Sequence, residues 1–168
     1  MDSKKHLVLI LCTGNTCRSP MAECLLNASA EQYPILKKFT FKSAGVFAQN
    51  NQLASSNSKK AIEKKSLSLE NHRSQQLTQK LIDQSYMILG MTSSHIQQLE
   101  FQYENLPVKI FPFRHWLNSH ENDIPDPFGG NLSEYQNCLE SIEESIPSIA
   151  HYLAVSYTHL RAHETGYN

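Results

Sequence analysis

A cysteine and an arginine stand six positions apart near the start of the chain, with small or polar residues between them. In the segment LVLILCTGNTCRSP, the apolar run 7–11 leads into Cys12, and Arg18 precedes Ser19 and Pro20. A short apolar run of this kind is typical of a strand buried on both faces of a parallel sheet. Proline suits the first turn of a helix. The spacing therefore predicts a strand–loop–helix unit with a thiol at one end of the loop and a guanidinium at the other.

This loop, here called the anion loop (residues 12–19), has the chemistry to bind a tetrahedral oxyanion. A helix N-terminus offers unpaired N–H groups and a partial positive charge. We expect Gly14 to let the backbone curl so that successive N–H groups converge. Arg18 adds a planar fork suited to two phosphoryl oxygens. The predicted phosphate-binding residues are Thr13, Gly14, Asn15, Thr16, Cys17 and Ser19, together with Arg18.

Cys12 is the candidate nucleophile of this loop. Loop N–H groups and a nearby guanidinium can lower a cysteine pKa from about 8.5 to about 3.5–7.5, so we predict a lowered pKa for Cys12. A thiolate beneath a bound phosphoryl group can attack phosphorus in line. Ser19 can donate its hydroxyl to that thiolate and help it leave afterwards.

Displacement at phosphorus also needs an acid for the leaving group. The best candidate is Asp126 in the segment DIPDPFGG, where a proline on each side stiffens the loop. Asp123 is the competing carboxylate. The sequence alone leaves open that Asp126 is an ordinary turn residue.

Strands alternating with helices predict a parallel, three-layer α/β domain. Thr92 or Ser93 is expected to cap one helix, and Ser133 with Gln136 has capping-box spacing near the start of another. Pro147 predicts a kink or break in that last helix. Further strands are predicted near residues 39–45, 86–91 and 108–111, and helices after Pro20, at 53–65, after Thr92 and from Leu132 to Leu153.

Composition limits the classes of function. The chain has 168 residues, 40% hydrophobic and 18% charged, which favours one globular domain. The net charge of −1 gives no basic field for nucleic acid. No apolar run is long enough to span a membrane and no signal peptide is recognisable, so we expect a cytoplasmic protein without a membrane partner. The four cysteines form no disulfide framework and are expected to be thiols.

Five motifs closely resemble the low-molecular-weight protein tyrosine phosphatase family, over nearly the whole chain to about residue 154. The combination of C-x4-C-R-S with a late Asp-Pro is highly specific. The motifs are CTGNTCRSPMAE near the N-terminus, SAGVFA at 43–48, NHRSQQL at 71–77, MTSSH at 91–95 and DPFGG at 126–130.

The resemblance implies a phosphatase domain over residues 1–154 whose four-stranded parallel sheet has the order 2-1-3-4. It implies that Cys12 is the nucleophile, that Arg18 binds phosphate and that Asp126 is the general acid. The substrates would be phosphorylated proteins, hydrolysed through a cysteinyl-phosphate without a metal or cofactor. We expect a monomer.

Two supporting roles also follow from the resemblance. The serine that matches Ser19 supports the thiolate in this family. The histidine that matches His72 hydrogen-bonds the loop asparagine, here Asn15. From its own sequence context, His72 would pass as an ordinary polar loop residue.

Within the family, the arginine-specific branch is the better match. Tyrosine-specific relatives usually carry a bulky aliphatic residue at the position of Thr16 and a Tyr at that of Phe128. An aliphatic wall would leave the N–H groups of a phosphorylated guanidino group unpaired, whereas Thr16 offers a hydroxyl. We therefore predict hydrolysis of phosphoarginine. A tyrosine phosphatase, in which Thr16 and Phe128 are neutral differences, is the alternative.

Cys17 is a candidate redox residue, because a thiol in the same loop can trap oxidised Cys12 as a disulfide. Two other functions are less compatible with the sequence. A thioredoxin-coupled arsenate reductase shares the loop but needs a resolving cysteine pair in mid-chain, and there is none between Cys24 and Cys138. A phosphoresidue-binding module has no need of both Cys12 and Asp126.

The C-terminal segment 155–168 is expected to be a non-native tail. Its stretch VSYTHLRAHET resembles the translation of a sequencing adapter. No functional role is therefore expected of this segment, and the pair His159 and His163 makes no predicted metal site.

Overall fold

The computed structural model describes residues 5–164 and has a four-stranded sheet at its centre. All neighbouring strands are parallel, in the order β2-β1-β3-β4. The predicted fold class and strand order are therefore confirmed. The strands are β1 (His6–Cys12), β2 (Phe39–Gly45), β3 (Ser85–Gly90) and β4 (Ile110–Pro112).

Helices cover both faces of this sheet. Helices α1, α2 and α5 pack on one face, and α3 and α4 pack on the other. None of the helices within residues 5–164 is long and apolar enough to cross a membrane. The helices are α1 (Arg18–Ala28), α2 (Ser56–Glu63), α3 (Gln79–Gln84), α4 (Ser93–Gln102) and α5 (Leu132–Glu164), and two 3₁₀ turns (Ser29–Glu31 and Pro34–Lys38) precede β2.

The apolar run of β1 is the centre of the core. Val8 and Ile10 pack with the α1, α2 and α5 layer, while Leu9 and Leu11 pack with the α3 and α4 layer. All four side chains are fully buried. Burying a Leu, Ile or Val side chain contributes roughly 1.5–3 kcal/mol, so this strand is held firmly from both sides. Its last residue, Cys12, is thereby fixed where the chain leaves the sheet.

Helix α5 departs from expectation at two points. It runs unbroken through Pro147, so of the predicted kink or break, the break is wrong. Pro147 lies on the exposed face, where water can solvate the carbonyl that loses its helical N–H partner. The predicted capping box at Ser133 is also wrong: the Asn131 side chain, two residues earlier, accepts the Glu134 N–H at 3.0 Å.

Smaller differences concern element bounds. Helix α3 was not predicted, because a helix of six residues carries too little apolar periodicity to detect. The fourth strand begins at Ile110, and Val108, which was assigned to it, is 97% exposed. Thr92 caps α4 as predicted, accepting the His95 N–H.

The C-terminal segment continues α5 to Glu164. Tyr157 packs edge-on against Phe39 with 6.2 Å between ring centroids. Residues 165–168 of the predicted tail lie outside the described residues. That residues 155–168 are non-native stays a prediction.

The sheet topology leaves a crevice beyond the carboxyl end of β1. The chain crosses from β1 to β2 on one side and returns past β1 to β3 on the other, which is where open α/β sheets bind ligands. Cys12 pairs with Gly45 at the end of β2. A Cβ on Gly45 would lie 2.4 Å from the Thr13 carbonyl oxygen and 3.1 Å from the Asn15 nitrogen. The close approach of β2 to the anion loop therefore requires glycine at this position.

Replacing Gly45 by alanine should lower the free energy of unfolding by about 1–3 kcal/mol, because the new methyl group overlaps main-chain atoms that cannot rotate away. Urea denaturation measures the change. Gly14→Ala is the matched control, since a Cβ there meets only Thr16 Oγ1, at 3.9 Å. Equal stability of the two variants would show that β2 does not constrain the loop in this way.

Candidate active site

A single cavity of about 230 Å³ gathers most of the sequence-predicted residues. It opens at the carboxyl end of β1 and takes one wall from the distant segment that precedes α5. The structure thus brings together groups that lie more than a hundred positions apart in the chain. The lining residues are Cys12, Thr13, Gly14, Thr16, Cys17, Arg18, Asp126 and Phe128.

The main chain of the anion loop turns its carbonyl groups away from this cavity. In a trans peptide the N–H of the next residue points opposite to the carbonyl, so the N–H groups face the inside of the loop. This is the convergent arrangement that binds anions. The outward hydrogen bonds run from Val46 N to Cys12 O (3.0 Å), from Phe47 N to Thr13 O (3.0 Å) and from Ser55 N to Thr16 O (2.9 Å).

Asn15 holds the loop in this shape. Its side chain is fully buried, and its amide donates to Ser19 Oγ at 2.8 Å and to Ser43 Oγ at 2.9 Å. Its Oδ1 accepts the Gln75 N–H at 2.9 Å. Every hydrogen of the amide group therefore has a partner, which removes the cost of burying it.

The sharp turn of the loop lies one residue later than expected. Asn15 adopts the left-handed backbone conformation, with φ at 59°, whereas Gly14 does not have a positive φ. The prediction that Gly14 makes the curl is therefore wrong. Asparagine tolerates this conformation better than most residues, and its side-chain hydrogen bonds stabilise it here.

Ser19 connects Asn15 to the sulfur. Ser19 Oγ lies 2.8 Å from Cys12 Sγ. Because Ser19 Oγ already accepts a hydrogen from the Asn15 amide, its own hydrogen is free to point at the sulfur. The hydroxyl is therefore placed to donate to a thiolate or to a departing sulfur.

Burial raises the pKa of the Cys12 thiol above its ordinary value, although Ser19, Arg18 and Asn15 all oppose the increase. The predicted lowering is therefore wrong. The Arg18 guanidinium also donates to the Ile124 carbonyl at 3.1 Å and lies 3.6 Å from Asp126 Oδ2. Removal of water from around the sulfur has the largest effect on the Cys12 pKa and outweighs the opposing interactions.

The structure places the two candidate carboxylates in different surroundings. Asp126 faces the cavity, pairs with Arg18 and accepts the Phe128 N–H at 3.0 Å, which fixes its side chain. Asp123 instead accepts the Ser93 N–H at 2.8 Å and so caps the start of α4. Asp126 is therefore the carboxylate that can reach a bound substrate.

Two histidines support the loop from outside. His72 Nε2 lies 2.7 Å from the Asn15 carbonyl oxygen, and donates to it. Burial lowers the pKa of His72, which favours its neutral imidazole. His95 Nε2 lies 2.9 Å from Thr13 Oγ1. Burial and the nearby Arg18 charge lower the pKa of His95 to about 4.

The remaining predicted residues lie around the rim or behind the loop. Thr16 lines the wall, and Phe128 stands at the mouth with 78% of its surface exposed. Cys17 Sγ is 3.4 Å from Ser55 Oγ and 3.5 Å from the Tyr135 hydroxyl. Among residues 5–164 no group of three or more His, Cys, Asp or Glu side chains could hold a metal ion.

Several contributing residues have no signal in the sequence apart from the quoted motifs. Ser43, Gln75 and His95 are ordinary polar residues in their local context, and each belongs to a different element or loop. Only the folded chain brings them to Thr13 and Asn15. Their place in the quoted motifs was the sole indication of importance.

Comparison with known proteins agrees with this site. The model of the low molecular weight phosphotyrosine protein phosphatase family matches residues 7–159. The protein-arginine-phosphatase of Bacillus subtilis is 35% identical over 146 residues, which cover 87% of this chain and 95% of that protein. The low molecular weight protein-tyrosine-phosphatase Wzb of Escherichia coli is 36% identical over 138 residues, or 82% of this chain and 88% of that protein.

Solved structures give the same result. The arginine phosphatase YwlE from Geobacillus stearothermophilus superposes with a TM-score of 0.81 and 34% identity, covering 92% of this chain and 96% of that one. A related structure is a mutant of YwlE with a phosphorylated active-site serine; it has a TM-score of 0.81 and 34% identity, over 88% of this chain and 95% of that one. The family match and these identities show that the chain is a phosphatase and belongs to the low molecular weight phosphotyrosine protein phosphatase family.

Proposed function

We propose that this phosphatase hydrolyses phosphoarginine in proteins through a cysteinyl-phosphate. One observation carries the proposal: Cys12 lines a small cavity whose other groups include Arg18 and Asp126, held 3.6 Å apart. A nucleophile, a phosphate-binding cation and an acid thus surround the same space. Each has a separate task in displacement at phosphorus.

In the first step the Cys12 sulfur attacks phosphorus as the P–N bond breaks. Asp126 gives its proton to the departing guanidino nitrogen, which would otherwise leave as a strong base. Arg18 and the inward N–H groups hold the phosphoryl oxygens. Thiol with phosphoryl dianion and thiolate with phosphoryl monoanion contain the same number of protons, so the raised pKa of Cys12 is compatible with attack by the thiolate.

In the second step water hydrolyses the cysteinyl-phosphate. Asp126, now ionised, takes a proton from the attacking water, and the S–P bond breaks to release inorganic phosphate. The Ser19 hydroxyl donates to the departing sulfur from 2.8 Å. This donation stabilises the developing thiolate in a site where burial disfavours negative charge.

The substrate assignment rests on the cavity wall and on relatives. Thr16 places a polar side chain in the wall, where a guanidino group has N–H donors to satisfy. The relatives from Bacillus subtilis and Geobacillus stearothermophilus, 35% and 36% identical, bear the name protein-arginine-phosphatase. A tyrosine phosphatase is the second candidate, because Wzb is 36% identical and is named for that activity.

Other expectations accompany this function. We propose that the enzyme works as a monomer in the cytoplasm, on phosphorylated proteins, with no metal, cofactor, nucleic acid or membrane partner. A Cys12–Cys17 disulfide that protects the nucleophile stays a prediction. Cys17 is buried beside Ser55 and Tyr135, so forming that bond would first require its side chain to leave these hydroxyl groups.

Replacing Asp126 by asparagine should lower kcat/KM, which reports the first step, by about 10²–10⁴-fold for substrates whose leaving group is a strong base, because the proton donor is lost. The loss should be much smaller with p-nitrophenyl phosphate, whose phenolate leaves without help. Steady-state kinetics on both substrates, with a chelator present, measures the difference. Asp123→Asn is the control and should match the wild type; an equal loss on both substrates would remove Asp126 from the acid role.

Wild-type protein should cleave a phosphoarginine peptide in preference to the matching phosphotyrosine peptide. Thr16→Ile should reduce that preference at least about tenfold, since an isoleucine wall leaves guanidino N–H groups unpaired. Ratios of kcat/KM provide the measurement, with Thr16→Ser as the hydroxyl-retaining control and Cys12→Ser as the inactive one. Preference of the wild type for phosphotyrosine would overturn the substrate assignment.

A further inference from the structure

Thr13 and His95 form a side-chain contact that has no part in the two proposed chemical steps. Thr13 lines the cavity and is exposed to it, while His95 is buried at the start of α4, with 3% of its surface exposed. Their side chains meet at 2.9 Å, although the two residues are 82 positions apart. A buried imidazole is thus directed at a side chain of the substrate wall.

The hydrogen bonds of His95 fix which of its nitrogens carries the proton. The Thr92 N–H donates to His95 Nδ1 at 3.2 Å, so Nδ1 is an acceptor. In a neutral imidazole the other nitrogen then carries the hydrogen. Burial lowers the pKa of His95 to about 4, so the ring is neutral at pH 7. Nε2–H of His95 therefore donates to Thr13 Oγ1.

The hydrogen bond from His95 determines which hydrogen-bonding groups of the Thr13 hydroxyl remain available to a substrate. A hydroxyl has one hydrogen and two lone pairs. His95 uses one lone pair and fixes the orientation of the group. One lone pair and the hydroxyl hydrogen remain for the cavity. The anion loop therefore carries a fixed acceptor in its wall as well as its phosphate-binding donors.

We propose that the His95-oriented Thr13 hydroxyl is a second determinant of selectivity for guanidino leaving groups, in addition to Thr16. The remaining lone pair of Thr13 accepts a guanidino N–H of the substrate, and Asp126 acts on the bridging nitrogen. A phenyl ring has no donor to give and would leave the lone pair without a partner. This inference rests on the proposed function. Thr13 is the contacting residue, and His95 is a positioning residue that acts through it.

Thr13→Val removes the hydroxyl and keeps the shape of the side chain. It should lower kcat/KM about tenfold more for a phosphoarginine peptide than for the matching phosphotyrosine peptide. Thr13→Ser, which retains the hydroxyl, should keep the wild-type ratio between the two peptides. Equal losses on both peptides, or no loss on either, would overturn the proposal.

Two substitutions of His95 separate its action on Thr13 from its role at the start of α4. In His95→Asn the shorter side chain can still accept the Thr92 N–H but cannot reach Thr13. In His95→Gln the amide nitrogen can occupy the place of Nε2 and donate to Thr13. We expect His95→Asn to lose the phosphoarginine preference and His95→Gln to retain most of it, at similar melting temperatures. The same loss in both variants would mean that His95 only supports the fold.

The double variant Thr13→Val with His95→Asn completes the test. It should lose no more preference than Thr13→Val alone, because both changes remove one interaction. Additive losses would contradict the pairing.

Failure of the proposed function and failure of this inference give different results. If the proposed function fails, the wild type favours phosphotyrosine. If only this inference fails, the wild type still prefers phosphoarginine, and Thr13→Val does not change that preference. A wild type without activity on phosphoarginine would overturn both.

Discussion

The shape of the site depends on one buried amide. The Asn15 side chain binds Ser19, Ser43 and the Gln75 main chain at the same time, and these three bonds hold its own backbone in a left-handed conformation. A buried amide with an unsatisfied group costs about 1–3 kcal/mol. The three hydrogen bonds are therefore interdependent, because loss of any one of them leaves a buried polar group without a partner. The turn at Asn15 directs the carbonyls of the loop outward and its N–H groups inward. The proposed anion binding and the position of the Cys12 sulfur both follow from it.

The rest of the fold anchors this amide and supplies its counterparts. Strand β1 ends at Cys12, the proposed nucleophile, β2 delivers Ser43, and the segment that follows α2 delivers His72 and Gln75. The sheet order places the ends of β1, β2 and β3 side by side. Side chains from separate stretches of the chain can therefore contact the anion loop. Burial of Cys12 makes negative charge on its sulfur less stable. Hydrogen bonds from Ser19 and Asn15 and the positive charge of Arg18 oppose this effect.

The sequence predicts those parts of the site that depend on local spacing. Cys12 and Arg18 follow from a strand, a loop and a helix start that are adjacent in the chain, and Asp126 follows from the two prolines around it. The turn residue was misplaced at Gly14 because a general preference for glycine at positive φ ignores side-chain bonds made elsewhere. The pKa of Cys12 was given the wrong direction because burial is a property of the whole fold and not of the loop. His95 could not be assigned for the same reason: its partner lies on another element.

The central claim is that Asn15 stabilises negative charge on Cys12 by orienting the Ser19 hydroxyl. The pH dependence of Cys12 alkylation by iodoacetamide, followed by peptide mass spectrometry, tests it in Ser19→Ala, in Asn15→Gly and in the double variant. Glycine keeps the left-handed turn and removes only the amide. We predict that each single change raises the pKa of Cys12, by about one unit for Ser19→Ala, and that the double variant shifts no further than Ser19→Ala. An unchanged pKa in Asn15→Gly, or shifts that simply add, would contradict the account.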